Sequence, residues 1–320
     1  MTNLVYSGVS KKNSVVTNLG YRISMSKETG FLEVVGESNN AQPMVTISIP
    51  TRNSGKTLGR CLEAVQAQNY ERIEVNVIDG GSSDNTIDIA RSYGVSDIFT
   101  YYGGLLGARE VGARRASGAV LVLLDSDQIL EPDAIERAVA MLSSYDMLVL
   151  EEDVYSNKTF IEKLFQCDRK LVQTVRNFSP YTGVMLPRVY RREVLQRAFS
   201  AIPREALERI GGQDHAIIYY EAWKTSQRVE MVPTAVKHIE PDSLIIIWKK
   251  FYRWGYTSKD AHVGQYKELI HKKERLRTGM FRPGLFVVSL GSIVLLAIKG
   301  LPYAAGLVAA RMKRPYVGAN

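Results

Sequence analysis

Cysteine is scarce in this chain: Cys61 and Cys167 are the only two, and they lie far apart. They form neither a disulfide framework nor the close spacing of a thiolate metal site, and a reducing compartment suits them. Acidic residues almost vanish toward the C-terminus. Residues 1–247 hold 27 Lys and Arg against 30 Asp and Glu, whereas residues 248–320 hold 14 against 3, so the net charge of +8 arises wholly in the last quarter. That distribution excludes a nucleic-acid surface running the length of the chain. A charged-then-apolar leader is missing from the polar, Ser- and Asn-rich first forty residues, which predicts a cytoplasmic setting. Long apolar runs are missing too, save one over residues 283–310, interrupted at Lys299-Gly300-Leu301-Pro302. What is present is 320 residues at 45% hydrophobic and 23% charged, enough for a sizeable core and incompatible with disorder.

Residues 1–43 read as an N-terminal extension in which Tyr21–Ser26 and Phe31–Val35 flank Lys27–Gly30 like a β-hairpin. From Met44 the pattern changes. Val45–Ile49, Ile73–Ile78 and Ala119–Leu124 are short apolar runs, each followed by turn residues and then a candidate helix over Leu58–Gln66, Thr86–Ser92 or Pro132–Leu142. The alternation predicts an α/β domain over residues 44–245 with a mostly parallel sheet flanked by helices, and ligands beyond the carboxyl ends of the strands. The polar residues collect at those ends: Pro50-Thr-Arg-Asn53 after the first run, Asp79 to Thr86 after the second, Asp125-Ser-Asp127 after the third. Two carboxylates one residue apart at the end of a buried strand need a compensating cation, and hard oxygen ligands suit Mg²⁺ or Mn²⁺ bridging a diphosphate.

Ser54-Gly-Lys-Thr57 after a strand resembles the second half of a phosphate-binding P-loop. The position that would need the first glycine holds Pro50, which has no N–H to offer a phosphate, so a P-loop NTPase is the lesser reading. A catalytically silent membrane adaptor is the other alternative.

Taken together, Val45-Thr-Ile-Ser-Ile-Pro-Thr-Arg-Asn53, Val77-Ile-Asp-Gly-Gly-Ser-Ser-Asp-Asn-Thr86, Gly107-Ala-Arg-Glu-Val-Gly112 and Leu123-Leu-Asp-Ser-Asp127 resemble a family 2 glycosyltransferase of the GT-A fold, over about Val45 to Arg253. The resemblance implies a nucleotide-diphosphate-sugar donor. It places Asp79 near the base and ribose, Pro50 and Arg52 along the nucleotide pocket, Arg109 in the donor site with Glu110 where the family has asparagine, and Asp125 and Asp127 on a metal at the diphosphate. Asp214, in Gly211-Gly-Gln-Asp-His215, matches the aspartate of the family's E-D segment and is the candidate general base of an inverting reaction; Gln213 replaces the glutamate. His238 resembles the histidine that closes the metal site in some members. Arg253-Trp254 matches the end of the Q-x-x-R-W motif of processive synthases, with Arg253 a diphosphate contact. Lys250 in place of the glutamine predicts a non-processive enzyme.

Residues 246–282 read as basic amphipathic helices and residues 283–320 as a hydrophobic hairpin or membrane anchor. The first sixteen residues of the apolar run are short for the ~30 Å hydrocarbon, and basic residues flank it on both sides. A monotopic hairpin turning at Gly300-Leu301-Pro302, with both flanks on the cytoplasmic face, is the expectation, and one kinked transmembrane helix is the alternative. A basic tract beside an apolar one points to a membrane surface and to a lipid-linked or saccharide acceptor.

Overall fold

The structure is a computed structural model that describes residues 14–16, 21–25, 32–37, 42–174, 176–182, 185–262, 264–274 and 283–312. The first unit, up to Pro43, contains a three-stranded antiparallel sheet of β1 (Ser14–Val16), β2 (Tyr21–Met25) and β3 (Leu32–Glu37). β2 and β3 pair as the hairpin pattern anticipates, while the expected turn at Lys27–Gly30 lies outside the described residues.

The second unit begins with β4 (Val45–Thr51), α1 (Leu58–Gln66), β5 (Ile73–Asp79), α2 (Thr86–Ser92), β6 (Asp97–Thr100), α3 (Leu105–Arg115) and β7 (Val120–Leu123). It continues with β8 (Gln128–Leu130), α4 (Ala134–Met141), β9 (Met147–Val154), α5 (Phe160–Gln173), β10 (Val189–Arg191), α6 (Arg192–Ala201), α7 (Arg204–Arg209) and α8 (Asp214–Thr225). β11 (Val229–His238), α9 (Leu244–Thr257), α10 (Lys267–Glu274) and α11 (Phe286–Met312) complete it. Eight strands form one mixed sheet in the order β6-β5-β4-β7-β10-β9-β11-β8. β6, β5, β4 and β7 run parallel; β10 is antiparallel to both its neighbours, which makes β9 and β11 point the same way as β4.

Every residue of β4 is buried because helices cover both faces of the sheet. β7 shows how the faces divide: Val120, Val122 and Leu124 enter the core under α1 and α4, while Leu121 and Leu123 enter the one under α6 and α8. Pro50 sits in this central strand without breaking the ladder. Ser48 accepts the Leu124 N–H, so Pro50, two residues on, faces the same edge, where β7 has already ended its pairing at Leu123. The pairing of β4 with β7 ends there, at the carboxyl rim.

The C-terminal quarter departs from the expectation. The apolar run forms one unbroken 27-residue helix, with Pro302 inside it and no turn at Gly300-Leu301-Pro302. Packing explains why the proline does not break it. α11 lies along α5 and α9, with Ser289, Gly291, Ser292, Leu295, Pro302, Gly306 and Ala310 facing inward. At the crossing, Gly255 of α9 abuts the Tyr303 carbonyl and Gly306 of α11 abuts the Tyr252 carbonyl, an approach that a Cβ at either position would obstruct. Asp168 of α5 accepts hydrogen bonds from Ser292 (2.6 Å) and Lys299 (3.2 Å), which anchor the helix on that face. Leu295 joins Leu164, Phe165, Ile247 and Phe251 in a third core cluster. α11 is long and apolar enough to cross a membrane, yet its small and polar side is docked on α5 and α9 and its large apolar side is outward.

Candidate active site

The carboxyl ends of β4, β5, β7, β9 and β11 share one rim. Its first part is a stitched pair of loops. Asp79 accepts from the N–H groups of Gly81 (2.9 Å) and Ser82 (2.8 Å) and from the hydroxyls of Ser82 and Thr51 (3.1 Å for Thr51). Its carboxylate is therefore buried beneath the loop and shapes it. Asn53, at φ 53°, accepts from Ser83 N–H (2.8 Å). The N–H groups of Asn53, Ser54 and Gly55 donate to Ser82 Oγ, Thr86 Oγ1 and Asp84 Oδ2. With these donors consumed, Ser54–Thr57 forms no phosphate cradle, and the P-loop reading falls. Arg52 is exposed at the rim beside Gly80.

Buried charges fill the centre. Arg109, on α3 and 1% exposed, donates through Nη2 to Asp125 and through Nε to Asp214. Arg188, just before β10, takes the other oxygen of Asp125 at 2.9 Å and reaches Glu152 at 3.4 Å. Burial alone would raise the pKa of Asp125, but the Arg188 and Arg109 charges hold it well below the usual carboxylate range. The same balance, led by Arg109, lowers Asp214. Asp214 is the first residue of α8, with Gln213 before it in a left-handed conformation (φ 66°), so the carboxylate also meets the favourable end of the helix dipole. His215 stands 3.8 Å from Asp214 and 3.9 Å from Asp125; burial and the two neighbouring guanidiniums push its pKa down to about 4, leaving it neutral.

Asp127 belongs to a second cluster. Its Oδ1 lies 3.4 Å from His238 Nε2, and its Oδ2 accepts from Lys250 Nζ at 3.1 Å. On the far side His238 Nδ1 is 3.4 Å from Glu240, which Arg169 ties in turn to Glu152. Asp127 and His238 are thus brought together as expected. Asp125 is not: both its oxygens are held by guanidiniums, and among the described residues no three Asp, Glu, His or Cys side chains converge on a cation. Arg109 and Arg188, whose positions in the sequence carry no periodic signal, occupy its two oxygens instead. Two ligands suited to a hard divalent ion remain, Asp127 and His238, and a positive charge already lies against the same carboxylate.

Arg253 is exposed on α9 and joins no ion pair among the described residues; Lys250, three residues earlier, is the member of that segment that enters the site. Sequence reasoning also missed Arg188, Glu152, Arg169 and Glu240. Only the last carried a signal, two residues after His238 in Lys237-His-Ile-Glu240. Glu110 turns away from the centre toward Arg114 (3.7 Å).

Comparison with known proteins bears on the fold and the family. The family model "Glycosyl transferase family 2" matches residues 46–211. The glycosyltransferase AglE of Haloferax volcanii is 35% identical over 109 residues, covering 32% of this chain and 36% of its own. The chain spans about a third to a half of the length of the first curated relatives it matches. Among solved structures, S. aureus TarS in complex with UDP-GlcNAc superposes with a TM-score of 0.51 at 15% identity, over 85% of this chain and 93% of that one. The mannosyltransferase PcManGT of Pyrobaculum calidifontis, in complex with GDP-Man and Mn²⁺, gives 0.50 at 17%, over 85% and 81%. At these identities the likeness to the solved structures is one of fold. The extent of the family match, which begins within β4 and ends just before Asp214, shows that the chain belongs to glycosyl transferase family 2.

Proposed function

We propose that the chain transfers a sugar from a nucleotide-diphosphate-sugar donor to a lipid-linked or saccharide acceptor at the cytoplasmic face of a membrane, with inversion and without processivity. The observation that carries the reading is the pairing of two charged clusters at one strand rim: Asp127, His238 and Lys250 on one side, and Asp125, Arg109 and Asp214 on the other.

Asp127 and His238 would hold a Mg²⁺ or Mn²⁺ ion. When bound, such an ion supplies Lewis-acid charge to the leaving diphosphate. Arg52, exposed beside the Gly80-Gly81 loop, adds positive charge where a diphosphate would lie. Asp125 holds Arg109 and Arg188 in place by its two oxygens. Asp214 accepts the proton of an acceptor hydroxyl, and Arg109 keeps it ionised for that role. An acceptor phosphate, already ionised, needs no such base.

The membrane part rests on the outer surface. α9 exposes Leu244, Ile245, Ile246 and Trp248, α11 exposes Val287, Leu290, Leu301 and Met312, and the two helices lie side by side. Apolar faces of this kind on two neighbouring helices, with the exposed Lys249 on α9, fit an interface with anionic lipid.

The test is a thermal-stability panel of the protein with Mn²⁺ and UDP, GDP, dTDP or ATP, beside Asp127→Ala. A ligand that binds only the folded state raises the melting temperature by mass action. A metal-dependent rise with one nucleoside diphosphate, absent in Asp127→Ala, is the expected result. A rise with ATP alone that is indifferent to Asp127 would overturn the donor reading.

A further inference from the structure

Lys250 is the one cation of the site contributed by α9. The helix fixes its own pose by burying Ile247, Phe251 and Gly255 at successive turns, and this leaves Lys250 at the boundary of the buried stripe, aimed at Asp127. The ammonium is 3.1 Å from Oδ2, while His238 Nε2 faces Oδ1 of the same carboxylate at 3.4 Å. The pair is only partly buried, with side-chain exposures of 36% for Lys250 and 25% for Asp127, so it can open without stranding a charge away from water. Asp125 contrasts with it, being gripped on both oxygens by guanidiniums of which Arg109 is buried.

A divalent ion on Asp127 and an ammonium on the same carboxylate would bring two cations within a few ångströms, at a Coulombic cost that grows in a partly enclosed site. One must leave unless a further anion arrives. A nucleoside diphosphate is such an anion, and a lysine stem with four rotatable bonds can carry the ammonium from the carboxylate to a phosphate oxygen.

We propose that Lys250 is a tethered cation that holds Asp127 in the free enzyme and hands it to the divalent ion when the donor diphosphate takes the ammonium. Metal binding is thereby made dependent on the donor. Because coupling between two ligands is reciprocal, the metal tightens the donor by the factor by which the donor tightens the metal. This rests on the reading of Asp127 and His238 as metal ligands.

The experiment is a Mn²⁺ titration of the full chain, followed by electron paramagnetic resonance and by calorimetry, with no nucleotide and with saturating UDP or GDP. The variants are Lys250→Met, Lys250→Gln and Asp127→Asn, each compared with the parent by melting temperature. With the competing ammonium removed, both Lys250 variants bind Mn²⁺ in the absence of nucleotide about fivefold more tightly than the parent, the change expected from losing a partly exposed ion pair. The enhancement of Mn²⁺ affinity by nucleotide shrinks in the same variants. Unchanged or weaker Mn²⁺ binding in both folded Lys250 variants, with binding abolished by Asp127→Asn, overturns the role of Lys250 and leaves the metal site standing. Absence of Mn²⁺ binding by the parent with either nucleotide overturns the metal reading, and the inference with it.

Discussion

Replacing Arg109 by methionine tests the central network most directly. The guanidinium is 1% exposed and bridges Asp125 and Asp214. Asp125 keeps Arg188 after the change, at 2.9 Å, but Asp214 is left with only neutral His215 at 3.8 Å. Methionine fills much of the arginine stem volume, so the loss is chiefly that of a counter-ion to a buried carboxylate, about 3–5 kcal/mol at neutral pH. For a chain of this length about 2 °C of melting temperature accompanies each kcal/mol, so a fall of roughly 6–10 °C is expected. The pH dependence fixes the cause. In the parent Asp214 lies below its ordinary pKa, so its contribution to stability is present above the unfolded carboxylate pKa and is lost only as pH falls through the lower folded value. In Arg109→Met the remaining influence of burial raises that pKa, the folded state takes up a proton more readily than the unfolded one, and the deficit relative to the parent narrows from pH 7 to pH 5. Scanning calorimetry at the two pH values, with Arg109→Met/Asp214→Asn as the second variant, measures this; the double variant should recover part of the loss at pH 7. A deficit that is absent at pH 7, or that widens toward pH 5, would refute the counter-ion argument.

Other consequences are as direct. Asp214→Asn should lower kcat for a sugar-hydroxyl acceptor by about 10²–10⁴ with donor affinity little changed, as for removal of a general base; retained turnover would mean that the acceptor is already ionised. Gly255→Ala forces α9 and α11 apart at the Tyr303 carbonyl, and a loss of about 1–3 kcal/mol with earlier proteolysis of α11 is expected in limited digestion. Ile245→Glu and Trp248→Glu, both outward on α9, should weaken co-sedimentation with anionic vesicles while leaving nucleotide-induced stabilisation intact.

The first half of the catalytic domain was legible because its strands end within two residues of where their apolar runs end. Val45 and Ile73 open β4 and β5 as the pattern predicts, β7 opens at Val120, one residue after the expected Ala119, and Leu58–Gln66 is α1 at the same bounds. β10 was not legible, since Val189-Tyr-Arg191 is three residues long and owes its strand conformation to pairing on both sides with β7 and β9. The site divided in the same way. Asp127, His238 and Asp214 carry local motifs, and all three lie at the rim. Arg188 and Glu152 have no motif; only the sheet order, which inserts β10 between β7 and β9, brings them against Asp125. The unbroken α11 was misread for a related reason. A proline after a glycine signals a turn in isolation, but a helix held along one side by α5 and α9 tolerates the lost hydrogen bond.

α9 also sets a height. The helix turns Lys250 toward the reacting centre and Leu244, Ile245 and Trp248 away from it. A helix with its side chains is about 10–12 Å across. Where that outer face rests on a bilayer, the chemistry is held about one helix diameter above the hydrocarbon. On the proposed membrane reading the helix would be a ruler that selects acceptors by reach: a phosphate or first sugar attached directly to a lipid would stand at that level, whereas the far end of a long glycan would project past it.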